Sequence, residues 1–323
     1  MRILVIGGTS LIGRRLVDAL LAAGHNVTAL HRSPDSKLAP GVEGLLADRN
    51  DAEAVRRVLT GRRFDAVFDN VYDFGRGTTA SQVAAAAQAC AGPQLERYVF
   101  MSTVGAYEEG LDLSEDAPLA PPDDPKPYSA NKASSERALF SMPGLPAVTI
   151  RPPFVYGPGN PFYREAFFWE RLRDRRPILV PEDGKRLMQF VHADDIVQIC
   201  MRILERPAAV GHAFNAANHG PVTQEQAVRA IAAAAGYEPQ IVYIPREKAL
   251  AAGGSPMGPK LYFAHYFDLP PITIRIDKAR GLLGFEPIPF NDGLRGTYAW
   301  WLEHNPFPTP DYSFEDSLLN AIT

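Results

Sequence analysis

The stretch Arg2-Ile3-Leu4-Val5-Ile6-Gly7-Gly8-Thr9-Ser10-Leu11-Ile12-Gly13 decides the fold. Four consecutive apolar residues read as a fully buried strand, and they run straight into a glycine-rich turn. Beyond the turn, Ile12, Leu16 and Leu20 form an apolar stripe with Val17 and Leu21 on the adjoining face, which predicts a helix from about Leu11 to Ala23 stopped by Gly24. In a strand–turn–helix of this kind Gly7 makes the tight turn and Gly13 lets helix and strand pack closely. The residues Thr9, Ser10, Leu11 and Ile12 then bring backbone N–H groups and the positive end of the helix dipole to a pyrophosphate. Ser10 stands where the middle glycine of such turns lies, and its side chain either crowds the phosphates or donates its hydroxyl to one.

Outward from this unit, β-branched runs at Val27 to Leu30, Gly44 to Leu46, Ala66 to Asp69, Tyr98 to Ser102 and Ala147 to Arg151 alternate with segments of helical period, one of them beginning at Asp51. The pattern predicts an α/β fold, a Rossmann-type doubly wound parallel sheet with helices on both faces. Prolines at 152, 153, 158, 161, 177 and 181 then break the alternation. We therefore expect a dinucleotide-binding domain over 1–152, to which the chain returns at about 187–216 through the strand Gln189 to His192 and a helix starting at Asp194-Asp195. A smaller, interleaved substrate-binding lobe would comprise 153–186 and 217–323. The Gly-, Pro- and aromatic-rich stretch Ala251 to Ile276 reads as a loop over a substrate pocket. Phe162, Tyr163, Phe167, Phe168 and Trp169 either line an apolar pocket or bury a helix.

Composition supports a globular enzyme. The 323 residues are 46% hydrophobic and 22% charged, and 33 Lys plus Arg against 37 Asp plus Glu leave a net charge of −4, without the basic excess of a nucleic-acid binder. Cys90 and Cys200 sit in apolar segments and read as buried free thiols. No secretory signal and no apolar run long enough to span a bilayer is seen, so a cytoplasmic protein that binds no membrane is expected. The basic cluster Arg171, Arg173, Arg175 and Arg176 reads as a solvated helix face, making nucleic acid an unfavoured partner. His192 with Asp194 and Asp195 reads as a strand end and helix start, and no metal site is expected.

At the tip of the second strand His31-Arg32-Ser33 offers a guanidinium suited to a 2′-phosphate, which favours NADP over NAD. Asp48 is placed to accept from an adenine amino group and Arg49 to stack on the ring, unless either caps the helix after Asp51. Tyr128-Ser129-Ala130-Asn131-Lys132 sets a phenol and an ammonium four residues apart on one helix face. A free phenol, with a pKa of ~10, carries protons poorly at neutral pH unless a nearby cation favours the phenolate. Ser102-Thr103 supplies a hydroxyl at the carboxyl end of a strand, where open α/β sheets bind ligands.

Together these residues resemble the extended short-chain dehydrogenase/reductases of the epimerase and dehydratase type. The likeness covers nearly the whole chain: the Gly7 to Gly13 turn, Asp48, Ser102-Thr103 to Tyr107, Tyr128 with Lys132, Arg151 to Gly157, His192 to Asp195 and Gly284 to Leu294. The resemblance implies Tyr128 as acid/base and Lys132 as ribose ligand and modulator of the phenol. It implies Thr103, 25 positions before Tyr128, as the carbonyl-orienting hydroxyl, Asn70 as a cofactor contact, and backbone of Pro153 to Val155 as the holder of the nicotinamide carboxamide. Hydride transfer at a carbonyl or secondary alcohol follows from it, with a small-molecule substrate such as a sugar nucleotide and a homodimer formed through helices Thr79 to Cys90 and Ser129 to Phe140.

Departures narrow the activity. Val104-Gly105-Ala106 follows Thr103 where dehydratases and decarboxylases carry acids, and Phe154 and Met188 replace an Asn and an Arg that serve nucleotide sugars. A net reductase is expected, with a nucleotide-sugar epimerase retaining its NAD as the alternative. The chain is also similar to an atypical branch that includes the chloroplast stem-loop RNA-binding proteins, through Asp69 to Asp73, Phe167 to Ile178 and the Gly7 to Ser10 turn. An RNA-binding protein on the same fold is therefore the rival from another class, but the retained Tyr128 and Lys132 favour redox chemistry.

Overall fold

The computed structural model describes residues 1–321. In chain order the elements are β1 (Arg2–Ile6), α1 (Leu11–Ala22), β2 (Asn26–His31), β3 (Glu43–Leu46), α2 (Ala52–Leu59), β4 (Ala66–Asp69), α3 (Ala80–Cys90), β5 (Arg97–Met101), β6 (Gly110–Leu113), α4 (Pro127–Phe140), β7 (Ala147–Arg151), β8 (Phe154–Tyr156), α5 (Glu165–Arg173), β9 (Ile178–Pro181), β10 (Leu187–Met188), β11 (Phe190–His192), α6 (Ala193–Glu205) and β12 (Ala213–Asn215). There follow β13 (Val222–Thr223), α7 (Gln224–Ala234), β14 (Ile241–Ile244), α8 (Arg246–Ala251), β15 (Ile272–Ile274), α9 (Phe290–His304) and α10 (Ser313–Asn320). Among the described residues no helix is long and apolar enough to cross a membrane.

The chain divides into two compact units, the first made of Met1–Pro153, Ala193–Ala217 and Ile274–Pro287. It holds a seven-stranded sheet in the order β12-β7-β5-β4-β1-β2-β3, parallel at every pair. Ile3, Leu4, Val5 and Ile6 of β1 and Ala66, Val67 and Phe68 of β4 have no exposed surface, the expected state of strands covered on both faces. Strand order reverses between β1 and β4, which opens a crevice at their carboxyl ends, the point where such sheets bind ligands. Asp51 caps α2 by accepting from the Ala54 N–H, and Thr79 with Gln82 forms a capping box on α3, so each of these helices starts where its polar cap residue stands.

The division differs from the sequence expectation at both returns of the chain. Leu187 to His192 belongs to the second unit, because β10 pairs with β13 and β11 with β8. Conversely, 274–287 belongs to the first unit: Ile276, Ala279, Leu283 and Phe285 are buried, and the Arg275 N–H donates to the Leu113 carbonyl at 2.9 Å. Pro153 also stays with the first unit.

The second unit comprises Phe154–His192, Asn218–Thr273 and Ile288 to the end of the described residues. Its core is aromatic, with Phe167, Phe168, Trp169, Phe190, Tyr262, Phe263 and Phe267 all buried. The run from Phe162 to Trp169 therefore chiefly buries α5, only Phe162 and Tyr163 remaining half-buried. The stretch expected as a loop over a pocket instead contributes Tyr262, Phe263 and Phe267 to this core. The basic cluster is a solvated face only in part: Arg173 and Arg175 are exposed, with Arg173 pairing Asp174 at 2.9 Å, whereas Arg171 is buried against Glu315 at 2.6 Å and the half-buried Arg176 pairs Asp316.

Beneath the carboxyl ends of β5 and β7 the first unit buries one ionic network. Glu136 on α4 accepts from Arg151 Nε and Nη2 at 3.0 and 2.6 Å, from Thr149 at 3.1 Å, and from the Ser102 hydroxyl. Arg151 also donates to Tyr107 Oη at 2.8 Å, and Tyr107 donates to Asn215 on the edge strand β12 at 2.7 Å. Both charges are almost fully buried, so removing one strands the other. Glu136→Ala is expected to cost about 3–5 kcal/mol, measured by urea unfolding; a loss below about 1 kcal/mol would show that the network does not carry this part of the fold.

Candidate active site

The turn after β1 is closed to side chains. Gly7 has a φ of +85°, and a Cβ there would lie 2.5 Å from Val71 Cγ2. A Cβ on Gly13 would overlap the Gly7 carbonyl oxygen. Backbone thus packs on backbone at the head of α1, where only glycine fits. Ser10 is the N-cap residue of α1, exposed and with no capping hydrogen bond from its side chain. Across the crevice, at the end of β4, both polar atoms of the Asn70 amide are buried without a hydrogen-bond partner. Buried amides are rarely left so. A dinucleotide fits this arrangement: the cradle of Gly7 and Gly13 admits a pyrophosphate at the helix head, and Asn70 has unmet donors and acceptors beside it.

The tip of β2 and the turn after β4 hold a lattice of four alternating charges. Arg32, 67% exposed, pairs Asp73 at 2.8 Å; Arg76 pairs both Asp73 and Asp48 at 2.7 Å. Burial pushes the Asp48 carboxyl up, but the Asn50 N–H and the Arg76 guanidinium outweigh it and hold it below the usual range. The Arg76 guanidinium likewise holds Asp73 well below that range. Arg76 and Asp73 escaped the sequence reading; the signal available was Asp73-Phe74-Gly75-Arg76-Gly77, a polar turn directly after a strand end.

Arg49 is a correction. Its guanidinium does not lie open for stacking on an adenine ring: it is 3% exposed, meets Asp69 at 2.5 and 3.3 Å and donates to the Gln82 carbonyl at 2.7 Å. Asp69 also accepts from Tyr98 Oη at 2.9 Å. Arg49 is consumed by a buried pair that ties the β3–α2 connection to β4.

Near the carboxyl end of β5, α4 presents Tyr128, Lys132 and Glu136 one turn apart on one face. The position of a Cβ on Gly105 would lie 3.4 Å from Tyr128 Cε1 and 3.5 Å from Thr103 Oγ1, so the phenol ring and the hydroxyl converge on one small residue. Thr103 accepts from the Gly105 N–H at 3.1 Å. Ser102, the other hydroxyl considered, is turned into the core to bond Glu136. Tyr72 packs edge-on against Tyr128 with centroids 4.7 Å apart, and Phe74 stacks on it at 5.5 Å. Neither aromatic was anticipated, because nothing in the spacing of residues 72–74 points across the sheet to α4.

Lys132 is buried, with Nζ donating to the Met101 carbonyl at 2.6 Å and lying 4.6 Å from the Phe100 ring centroid. Burial pulls its pKa down to about 8, against the raising influence of Asp69 and Glu136. Pro153 closes the first unit, whereas Val155 lies on β8 of the second. In the second unit Met188 is buried and Phe154 packs on Phe190 and Phe267. The nearby Arg186 is spent on Asp268 at 3.0 Å, which Arg246 also pairs. The His192 ring stands edge-on to Tyr156, and Asp194 pairs Arg15 at 2.6 Å. Among the described residues no group of three or more His, Cys, Asp and Glu is arranged to hold a metal.

Residues 3–217 match the NAD dependent epimerase/dehydratase family. The chain belongs to that family. Among its relatives it is 31% identical, over 99% of this chain and 84% of the relative, to the chloroplast stem-loop binding protein of 41 kDa b of Arabidopsis thaliana. It is 26% identical, over 88% of this chain and 92% of the relative, to a 4-hydroxy-2-methyl-3-oxo-4-farnesyl-3,4-dihydroquinoline-1-oxide ketoreductase of Stigmatella aurantiaca. Its fold is shared with the UDP-glucose 4-epimerase of Thermotoga maritima, solved with UDP-glucose: TM-score 0.75, 22% identity, 94% of this chain and all of that one. In this epimerase/dehydratase family member the bound dinucleotide would supply the hydride donor or acceptor.

The Lys132 ammonium gives a testable pH signature. Its folded pKa, about 8, lies below its ordinary 10.5, so between those values the unfolded chain binds more protons and stability rises with pH. In cofactor-free protein, urea unfolding at pH 7 to 10 should show the wild type gaining on Lys132→Met above pH 8; parallel curves would mean that the ammonium is not desolvated.

Proposed function

We propose that the protein is an NAD(P)-dependent oxidoreductase of the short-chain dehydrogenase type, acting on a carbonyl or secondary alcohol of a small molecule. Net reduction with exchangeable NADPH is the favoured direction. The observation that carries this reading is the convergence of Thr103 and Tyr128 on Gly105, with the Lys132 ammonium one helical turn behind. Thr103 orients the substrate oxygen, Tyr128 passes a proton to or from that oxygen, and Lys132 holds the ribose and supplies the positive charge that makes a phenol useful near neutral pH. Gly7, Thr9, Ser10, Leu11, Ile12 and Gly13 hold the pyrophosphate, Asn70 contacts the dinucleotide alongside them, and Asp48 receives the adenine. Backbone at Pro153 and Val155 is assigned to the nicotinamide carboxamide.

The preference for NADPH rests on Arg32 and Arg76, whose shared Asp73 holds two guanidinium groups at the β2 tip. A 2′-phosphate brings more charge than a carboxylate and takes them over. Absence of acids at Val104, Gly105 and Ala106 supports redox chemistry over elimination. The dimer through α3 and α4 belongs to the same proposal. The RNA-binding reading, which the Arabidopsis relative keeps in view, is weakened by the pairing of Arg171, Arg173 and Arg176 with acidic side chains.

The test is a titration of purified protein, stripped of small molecules and with the released material weighed by mass spectrometry, with NADH and NADPH. NADPH should bind reversibly and more tightly; stoichiometric retained NAD would move epimerisation ahead, and binding of neither would revive the RNA reading. Tyr128→Phe should keep NADPH affinity within about two-fold while turnover falls by roughly 10²–10⁴. Full turnover in that variant would refute the catalytic assignment. Arg32→Ala combined with Arg76→Ala should weaken NADPH by ten-fold or more and leave NADH within about two-fold; equal losses for both would place the arginines away from the 2′-phosphate.

A further inference from the structure

Phe74 is the most exposed large apolar side chain among the described residues, at 62%. A single exposed ring means little by itself, but three observations set this one apart. It touches the candidate acid, its ring stacking on that of Tyr128 at 24° from parallel with centroids 5.5 Å apart. It belongs to a cluster, since Tyr72 meets Phe74 at 5.3 Å and Tyr128 at 4.7 Å, both edge-on. It also stands on a firmly tied turn. The Asp73 carboxylate accepts from the Gly75 and Arg76 N–H groups at 2.9 and 3.0 Å, the Asp73 N–H donates to the Thr78 hydroxyl at 3.0 Å, and the Asn50 amide donates to the Gly77 carbonyl at 2.6 Å. Backbone is held on both sides of Phe74, so the turn itself, rather than a slack loop, presents the ring to water.

A reactant brought to the Tyr128 phenol therefore meets ring carbon. Phe74 and Tyr72 flank the phenol, Gly105 approaches it with backbone and no side chain, and Thr103 places one hydroxyl beside it. The Tyr72 hydroxyl is engaged by the Asn131 amide at 3.2 Å. A sugar ring seated here exchanges water for ring carbon, and every hydroxyl that loses its partner weakens binding. A flat aryl ring gives up nothing polar. It covers the exposed face of Phe74 and extends a stack of two rings to three, in the offset arrangement that aromatic pairs prefer.

We propose that the reactant is an aryl ketone, and that Phe74 is the specificity-determining residue that receives its ring while the carbonyl oxygen lies between Thr103 and Tyr128. This inference rests on the redox reading: hydride from bound NADPH goes to the ketone carbon, the carbonyl π pair moves to oxygen, and that oxygen takes the Tyr128 proton, leaving an aryl carbinol and NADP⁺.

Tyr128→Phe keeps the stacking ring but removes the proton, so binding is read without turnover. In full-length protein carrying that change and saturated with NADPH, calorimetric titration compares acetophenone with cyclohexyl methyl ketone. The two are alike in size and the saturated one is at least as apolar, so a preference for the first reports stacking. Acetophenone should bind roughly two- to ten-fold more tightly, the range that an aromatic pair supplies. Adding Phe74→Leu, which keeps apolar bulk without a ring, should abolish the preference, and Phe74→Tyr should preserve it. The KM values of the wild type for the two ketones give a second reading that needs no variant, and circular dichroism checks the fold of each variant. Equal affinities, no saturable binding of acetophenone, or a preference that survives Phe74→Leu would each overturn the inference, while NADPH binding leaves the redox reading standing. A wild type that binds neither NADPH nor NADH overturns both.

Discussion

The ion pair of Glu136 with Arg151 is the constraint on which the placing of α4 over the carboxyl ends of β5 and β7 depends. Two charges taken out of water are tolerated only when nearly every donor and acceptor is met. That requirement dictates where α4 lies: Glu136 must reach Arg151 on β7 and Ser102 beyond β5 at once. Once its position is set, the helical repeat places Lys132 and Tyr128 one and two turns earlier on the same face. Through Tyr107 and Asn215 the same network reaches the edge strand β12. Helix, central strands and sheet edge are thereby held by one set of hydrogen bonds, and the reactive side chains borrow their rigidity.

Lys132 illustrates how such a scaffold tunes a side chain through its surroundings. Its ammonium is deprived of water and meets a single carbonyl, that of Met101, with aromatic carbon around it. The balance between desolvation and the distant carboxylates of Asp69 and Glu136 leaves it easily deprotonated. Hydroxyl groups of a bound ribose would restore some of the lost solvation, so charge on this residue and occupancy of the crevice favour each other.

Much of this was readable before any coordinates. The alternation of apolar runs and helical stripes located six of the seven strands of the sheet, since buried parallel strands have few other ways of being written; the three-residue edge strand β12 was too short to show, and the return was expected at Gln189 to His192 instead. Spacing put Tyr128 and Lys132 on one helix face, and the family resemblance chose Thr103 over Ser102 and gave all three their expected roles. What escaped is long-range: Arg49 looks the same in sequence whether it meets a nucleotide or a buried Asp69 twenty residues on. The return of 274–287 to the first unit rests on Ile276, Ala279, Leu283 and Phe285, too scattered to carry a period. Within the basic cluster Arg171 alone departs from the reading of a solvated face, because Glu315, which pairs and buries it, lies far downstream.

The turn from Asn70 to Thr79 has a consequence for how the protein can change. It places Phe74 and Tyr72 on the Tyr128 ring, and its Asp73 and Arg76 on Arg32 and Asp48. Thr78 and Gly77 bind it to Asn50, and it leads directly into the capped start of α3. The two ends of the crevice are therefore written into one short segment of backbone. Reshaping its aromatic side would disturb the charges at the opposite end, and exchanging those charges would shift the aromatic cover; an engineer, or natural drift, must alter the two ends as a single character, which under the proposed function ties reactant fit to nucleotide choice.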